Sequence, residues 1–317
     1  MKTRVRPVLA ATLLLLVEGC THTNMLSLRS DVPSTHGSPQ LLAVYEPWFG
    51  HPQHISVGYS SQDPVELRKQ IDAARNMGIS GFVVDWYGDR EPFIDRAYAL
   101  LQSAASEKNF KIAMMYDESD GEAEQATDDA LAAFEKFHQT YLSPTAPGRD
   151  AYLMYRDRPV IFIFPKSAAR TDWSRVRSET DKWDPAPLLI YEYRVTAYAS
   201  SFDGFYAWIN PGNKGWAKDG SHWGEDYLIR FYQQMQSKYS GKIAIGTAWP
   251  GFNDSKAHWS LGRYMSQRCG KTLSDTLSLA QQYSTPEHRL PFILIATWND
   301  YEEGTAVERG LEKCKNQ

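Results

Sequence analysis

Cysteine, basic charge and metal-binding patterns are all scarce in this chain of 317 residues. It has three cysteines, and its eight histidines are scattered, with His51 and His54 as the near pair. We therefore expect no metal site and no cofactor. The formal net charge of −4 and the sequence pI near 6.1 provide no basic surface, which argues against a nucleic-acid partner. No Gly-rich phosphate loop follows an apolar run, which disfavours nucleotide chemistry.

The longest apolar run stands near the amino terminus and is too short to span a membrane. Lys2, Arg4 and Arg6 precede the run over residues 8–17, a pattern typical of a secretory signal peptide. Residues 17–20, Val-Glu-Gly-Cys, approximate a bacterial lipobox, in which Cys20 becomes lipidated; the alternative is ordinary cleavage slightly further on. We predict a signal peptide over 1–20 and a polar tether over 21–39. The protein is then lipid-anchored in the bacterial cell envelope, periplasmic or at the surface, or it is secreted.

The remaining residues, 40–317, alternate short apolar runs with longer amphipathic segments and are predicted to form one domain. The predicted strands cover 41–45, 81–85, 111–116, 160–164, 188–193, 205–209, 242–247 and 292–296. Helical patterns cover 64–77, 92–108, 122–141, 172–182, 224–239 and 272–283. Strand followed by helix eight times predicts the α/β class and a single (β/α)8 TIM barrel, with a doubly wound open sheet as the competing fold.

Acidic and aromatic side chains follow these strands, whereas the residues that enter the strands are ordinary. The candidates for substrate binding are Tyr45, Glu46, Trp48, Asp85, Trp86, Tyr87, Asp117, Glu192, Trp249, Trp298 and Asn299. In a TIM barrel the carboxyl ends of the strands form the active-site face. Tyr and Trp combine a large apolar face with a polar edge, which suits sugar rings, although the same residues also fill ordinary cores.

The last strand ends in the motif Trp298-Asn299-Asp300-Tyr301-Glu302-Glu303-Gly304-Thr305. Asp300 and Glu303 are three residues apart, so in a helical turn they would point the same way and form a candidate acid/base pair. The alternative is a helix N-terminus whose acids favour the helix dipole. Glu302 falls on the other side of such a turn and is left out of the pair.

This motif, followed by Val307-Glu308, resembles the Asn-Glu-Trp-x-Glu-Gly-Thr-x-Ile-Glu signature of family 99 glycoside hydrolases. Its Asn-Asp-Tyr-x-Glu core resembles family 71, the α-1,3-glucanases, and segments 44–50 and 78–88 are similar to the opening strands of the same group. The resemblance implies a glycoside hydrolase that degrades an α-linked oligo- or polysaccharide of the α-glucan or α-mannan class. It assigns the catalytic carboxylates to Asp300 and Glu303 and a substrate-binding acid to Asp117.

Asp300 stands where the family 99 pattern has Glu, a side chain longer by one methylene, or about 1.5 Å. A wider gap favours inversion, with Asp300 as general base on water and Glu303 as general acid, since inverting enzymes separate their carboxyl groups by roughly 6.5–9.5 Å. Two other functions stay open at this point. One is a non-catalytic glycan-binding surface lipoprotein, and the other is a transferase that uses an activated sugar donor.

If Cys20 carries a lipid, Cys269 and Cys314 remain, and an exported protein tends to oxidise its thiols. A disulfide between these two residues and two separate buried thiols are the alternatives. We expect a monomer that touches the membrane through its lipid anchor only.

Overall fold

The computed structural model describes residues 38–166, 170–193, 198–211, 216 and 219–313. The predicted signal peptide with Cys20, and the tether up to residue 37, lie outside the described residues. Cys269 is disulfide-bonded. Cys314 lies outside the described residues as well, so the pairing of these two cysteines stays a prediction. Within the described part of the chain, no helix is long and apolar enough to cross a membrane.

Eight parallel strands form a closed barrel, and each of the eight predicted runs overlaps one of them. The barrel strands are β1 (Gln40–Tyr45), β2 (Ile79–Trp86), β3 (Lys111–Asp117), β5 (Arg158–Phe164), β6 (Leu188–Glu192), β7 (Gly204–Tyr206), β8 (Ile243–Ala248) and β11 (Phe292–Ile295). Strand β3 pairs directly with β5, and β11 pairs with β1, which closes the ring. The short strand β4 (Met154–Tyr155) pairs antiparallel with the start of β5. The predicted TIM barrel is confirmed, and the open sheet is excluded.

Six α-helices surround the barrel in the described part of the chain. They are α1 (Pro64–Asn76), α2 (Pro92–Glu107), α3 (Ala123–Phe137), α4 (Trp173–Thr180), α5 (Glu225–Gln236) and α6 (Lys271–Tyr283). They correspond to the six predicted helical segments, and two of the eight barrel strands are not followed by an α-helix within the described residues. The connection from β6 to β7 covers only residues 193–203, too few for a helix with two loops, and its described part holds a 3-10 turn at Ala199–Ser201. The described residues after β11 form turns rather than a helix.

Helix α1 shows how the sequence fixes where a helix begins. Pro64 is its first residue, where a missing backbone N–H costs nothing. The Asp63 carboxylate accepts a hydrogen bond from the backbone N–H of Val65 at 2.8 Å, which satisfies one of the unpaired donors of the first turn. Helix α1 therefore begins at a defined residue, and the loop between β1 and α1 lies at the carboxyl end of the barrel.

Side chains alternate between the interior of the barrel and the helix layer, because successive residues of a strand point to opposite faces. On β1, Leu42 and Val44 pack in the interior, whereas Tyr45 packs in the outer layer. Glu46 follows Val44 on the inner side. The same alternation turns Asp85, at the end of β2, toward the barrel axis. The strand ends therefore direct acidic side chains into one central space.

Candidate active site

A cavity of about 470 Å³ opens at the carboxyl end of the barrel. The ends of β1, β2, β3, β5 and β11 line it, together with the loop that joins β8 to α6. Seven residues singled out from the sequence lie in its wall: Glu46, Trp48, Asp85, Tyr87, Asp117, Asp300 and Glu303. The predicted acid pair and most of the predicted strand-end acids therefore share one space.

The Asp300 side chain caps a tight turn and is held firmly by it. Its Oδ1 accepts hydrogen bonds from the backbone N–H groups of Glu302 at 2.9 Å and Glu303 at 2.8 Å. Its own backbone N–H donates to Oγ1 of Thr297 at 2.8 Å. Residues 301–304 form a turn and no helix follows within the described residues, so the reading of these acids as a helix N-terminus is wrong. The turn still places Asp300 and Glu303, which are three residues apart, on the same side.

Glu303 is held at one carboxylate oxygen. Its Oε1 accepts a hydrogen bond from the indole N–H of Trp259 at 2.9 Å, and a guanidinium nitrogen of Arg263 lies 3.7 Å from the same atom. Burial raises the pKa of Glu303, while the Trp259 hydrogen bond and the Arg263 charge oppose that rise. Burial also raises the pKa of Asp300 well above its usual range, and the neighbouring charge of Glu303 adds to the effect. The Glu303 charge therefore opposes the ionisation of Asp300, so the pair loses its last proton at a higher pH than exposed carboxyls do.

Three further carboxylates stand at the ends of neighbouring strands. Burial, reinforced by Asp85, raises the pKa of Glu46 well above its usual range. Burial and the Asp117 charge raise the pKa of Asp85 to about 8, against a hydrogen bond from the Tyr87 hydroxyl at 2.8 Å. Burial raises the pKa of Asp117 too, although Lys166 forms an ion pair with it at 2.8 Å. The cavity therefore concentrates carboxyl groups whose ionisation is suppressed by burial.

Two oxygens of this group have neither a hydrogen-bond partner nor an ion-pair partner among the described residues, namely Oε2 of Glu46 and Oδ1 of Asp85. Both belong to side chains that are less than a tenth exposed. A buried acceptor without a donor is costly, which indicates that water or ligand hydroxyls complete the site. Within the described residues, no group of three or more His, Cys, Asp or Glu is arranged to hold a metal ion.

Asn299 and Glu302 support the site from behind the cavity wall. The Asn299 side chain accepts from the backbone N–H of Glu46 at 2.7 Å and donates to its carbonyl at 2.9 Å, which joins the end of β1 to the motif after β11. Glu302 accepts from the backbone N–H of Ile55 at 3.1 Å and lies 2.8 Å from Nδ1 of His54. Glu302 therefore fixes the loop after β1, in agreement with its exclusion from the catalytic pair.

Aromatic rings form the rim. Trp48 stacks on His54 with ring centroids 4.8 Å apart and meets Trp259 edge to face at 6.3 Å. Several polar and aromatic lining residues were not among the sequence candidates; they include His51, Gln53, His54, Phe164, Lys166, Trp208, His258 and Trp259. Phe164 and Trp208 lie at the carboxyl ends of the predicted strands 160–164 and 205–209 and could have been found by position. The others lie in loops, where no periodic pattern signals them.

Other sequence candidates lie away from the cavity, and the expectation that they face it is wrong. Trp86 packs on Phe137 in the helix layer and donates its indole N–H to Asp95 of α2 at 3.1 Å. Trp298 packs on Phe82 in the same outer layer, at 5.4 Å. Strand alternation is the reason, because Trp86 directly follows the inward-facing Asp85.

The remaining three candidates are also outside the cavity wall. The Tyr45 hydroxyl donates to Gln70 of α1 at 2.7 Å, so this ring belongs to the helix layer. The Trp249 indole N–H donates to the Trp223 carbonyl at 2.8 Å, and its ring packs against the start of α5. Glu192 is buried at the end of β6 and is not part of the cavity lining that the structure describes.

A closed parallel barrel with acids at the carboxyl ends of its strands has the architecture of TIM-barrel enzymes. Among solved structures, the chain is similar to the GH99 endo-α-mannosidase from Bacteroides thetaiotaomicron, with a TM-score of 0.65, 18% identity and coverage of 85% of this chain and 87% of that one. The complex of that mannosidase with Bis-Tris propane gives a TM-score of 0.64, 18% identity and coverage of 86% and 87%. A glycoside hydrolase-like protein gives a TM-score of 0.59, 12% identity and coverage of 89% and 90%.

No family model matches the chain, and no curated protein sequence matches it. The likeness to solved structures is one of fold, which confirms the resemblance to the family 71 and 99 group at that level.

Proposed function

We propose that this protein is a glycoside hydrolase that cleaves an α-linked glycan with Asp300 and Glu303. The observation that carries the proposal is the placement of this pair, on one rigid turn, in a cavity lined by further carboxylates and aromatic rings. Glycosidic bonds are commonly hydrolysed by two carboxyl groups, one giving a proton to the leaving oxygen and one acting on the other face of the sugar. The solved structures of similar fold, which include a GH99 endo-α-mannosidase, support an α-linked substrate.

Asp300 acts as general base in this proposal and Glu303 as general acid. Asp300 takes a proton from water, whose oxygen forms a bond to the anomeric carbon while the bond to the leaving oxygen breaks. Glu303 gives its proton to that leaving oxygen. The backbone hydrogen bonds hold Oδ1 of Asp300, so Oδ2 is the oxygen left to meet water, and in this proposal the short side chain leaves room for that water. The anomeric configuration is therefore inverted.

This mechanism needs one proton on the pair, and the site supplies the conditions for it. Burial raises the pKa of both carboxyl groups, and the Glu303 charge raises that of Asp300 further, so the loss of the second proton is delayed to higher pH. The two backbone N–H donors stabilise the ionised form of Asp300. A pH–rate profile would report the pair as a whole rather than either residue alone.

The strand-end acids hold the sugar in this proposal. Glu46 and Asp85 each offer a buried oxygen that has no donor among the described residues, and a sugar ring carries several hydroxyl donors. Trp48 offers a ring face at the rim for stacking. Asp117 and Lys166 together present an acceptor and a donor on the far side of the same cavity.

A panel of α-mannans and α-glucans tests the proposal by release of new reducing ends. Wild-type protein should turn over at least one member, and Asp300→Asn should lose turnover while retaining binding of the same glycan. Binding without turnover by wild-type protein would instead identify a glycan-binding lipoprotein. Turnover that requires an activated sugar donor would identify a transferase.

We also propose that the protein is exported and anchored through a lipid on Cys20. The charged start, the short apolar run and the cysteine that follows support this placement. Cys20→Ser should move the protein from the membrane fraction to the soluble fraction without changing its activity. Unchanged membrane association of this variant would contradict the anchor.

A further inference from the structure

The connection from β8 to α6 is built around a buried acid that the proposed chemistry does not use. Two short antiparallel strands, β9 (Phe252–Asn253) and β10 (Tyr264–Met265), form the base of this loop. The backbone N–H of Asn253 donates to the Glu303 carbonyl at 2.7 Å, which docks the loop on the turn that carries the acid pair.

The Asp254 carboxylate organises the distal part of this loop, residues 254–263. It accepts hydrogen bonds from the Ser260 hydroxyl at 3.0 Å, the Leu261 N–H at 3.0 Å, the Arg263 N–H at 2.9 Å and the Arg263 Nε–H at 2.7 Å. The side chain is fully buried. Burial alone would raise the pKa of Asp254. The hydrogen bonds outweigh it, the one from the Arg263 side chain most of all, and the pKa of Asp254 lies below its usual value.

The residues that this loop presents to the cavity meet Glu303. Trp259 is the residue just before the segment bound by Asp254, and its indole N–H reaches Oε1 of Glu303 at 2.9 Å. Arg263 contacts Asp254 through Nε and lies 3.7 Å from the same Oε1 through a terminal nitrogen. Both donors converge on one oxygen, so Oε2 is the oxygen available to exchange a proton with a ligand.

We propose that Asp254 is a positioning residue that holds loop 254–263 closed on Glu303, so that Trp259 and Arg263 orient this carboxyl group and set its proton affinity. The inference deepens the proposed function, since it assumes that Glu303 is the proton donor of the same site. Asp254 does not line the cavity and acts through the loop.

The direction in which the Glu303 pKa changes when Asp254 is removed tests this role, because the charged groups around Glu303 act in opposite directions. Asp300 and Glu302 face it from its own turn, Glu46 from β1, and Asp254 and Arg263 from the loop. The histidines at the rim are His54, which contacts Glu302, and His51 and His258, which also line the cavity. The negative charge of Asp254 raises the pKa of Glu303, whereas the two donors that it positions lower that pKa. Loss of Asp254 therefore lowers the pKa if only its charge matters, and raises it if positioning dominates.

The experiment titrates Glu303 directly by carbon NMR of protein labelled at the glutamate carboxyl carbons, with Glu303→Gln to assign the signal. Asp254→Ala and Trp259→Phe should each raise its pKa by about one unit, which is the worth of one hydrogen bond to a charged group. Asp275→Ala is the matched control, because Asp275 of α6 pairs with Arg268 at 2.7 Å, outside the loop. This control should leave the Glu303 signal unchanged. Asp254→Asn, which keeps the shape of the side chain, replaces Asp254→Ala if the latter does not fold.

The pH–rate profile of the same variants provides the second readout. On a natural glycan the basic limb should move to higher pH in Asp254→Ala, whereas the rate on an activated aryl glycoside, which needs no proton, should change little. A fall in the Glu303 pKa, or an unchanged pKa with equal losses on both substrates, would overturn the positioning role. Absence of turnover by wild-type protein would refute the proposed function, while the titration would still decide whether Asp254 controls Glu303.

Discussion

Replacing Asp85 with asparagine should stabilise the fold at neutral pH. Asp85 is buried beside Asp117, and its Oδ1 has no hydrogen-bond partner among the described residues. Asparagine is nearly the same size and carries no charge. Its carbonyl can still accept from the Tyr87 hydroxyl, and its amide can donate toward the neighbouring carboxylates. The substitution therefore removes an electrostatic cost without opening a cavity.

The size of this effect follows from the pKa. Burial and Asp117 raise the pKa of Asp85 from its ordinary 3.8 to about 8. The unfolded chain ionises this carboxyl once the pH passes its ordinary value, whereas the folded chain keeps it protonated, so the fold loses stability between those two pH values. At about 1.4 kcal/mol per pH unit, the loss between pH 4 and pH 7 is on the order of 4 kcal/mol for an isolated group. Because Asp117 and Glu46 share the titration, we expect about 2–4 kcal/mol.

Urea unfolding of wild-type protein and Asp85→Asn at pH 4 and pH 7 measures this difference. The two proteins should be close in stability at the lower pH, and the variant should be the more stable at the higher pH. Asp275→Asn is a control of opposite sign, because its partners Lys271 and Arg268 lower the pKa of Asp275 despite its burial, so its loss should destabilise the fold at neutral pH. A variant that is no more stable than wild type at pH 7 would refute the electrostatic account of the cavity.

Three further predictions concern the proposed roles. Glu303→Gln should lower turnover of natural glycans by at least about 100-fold and of activated aryl glycosides by much less, and equal losses would contradict its role as the acid. Trp48→Ala should weaken oligosaccharide binding, measured by calorimetry, by about 1 kcal/mol, whereas Trp86→Phe should leave it unchanged. Asn299→Ala should cost about 1–3 kcal/mol in unfolding free energy because the Glu46 backbone loses both partners, and a neutral result would show that the link is dispensable.

The sequence predicts the barrel and the position of the acid pair because both depend on local patterns. Short apolar runs mark the strands, and residues directly after them fall at one end of the barrel. The prediction that Tyr45 and Trp86 face the cavity fails because side chains alternate between the two faces of a strand. Val44 and Val83 lie inside, so Glu46 and Asp85 also face inward and the aromatic residue beside each acid faces the helices. That information was present in the sequence.

The site residues in loops could not be predicted in this way, because only tertiary contacts bring them to the cavity. Trp259 is distant in sequence from Glu303, and no periodic pattern connects them. Lys166 follows β5, yet its ion pair with Asp117 depends on the neighbouring strand β3. The turn at Asp300 is a similar case. The spacing of the acids is compatible with a helix, and the two backbone hydrogen bonds to Oδ1 show that a turn produces the same grouping.

Proton NMR of an α-linked glycan during hydrolysis tests the central claim most directly. The account predicts new reducing ends that appear first as the β-anomer, before mutarotation, because Asp300 acts as the general base on water. First appearance of the α-anomer would contradict the role given to Asp300, and the absence of any new reducing end across the glycan panel would contradict the assignment as a glycoside hydrolase.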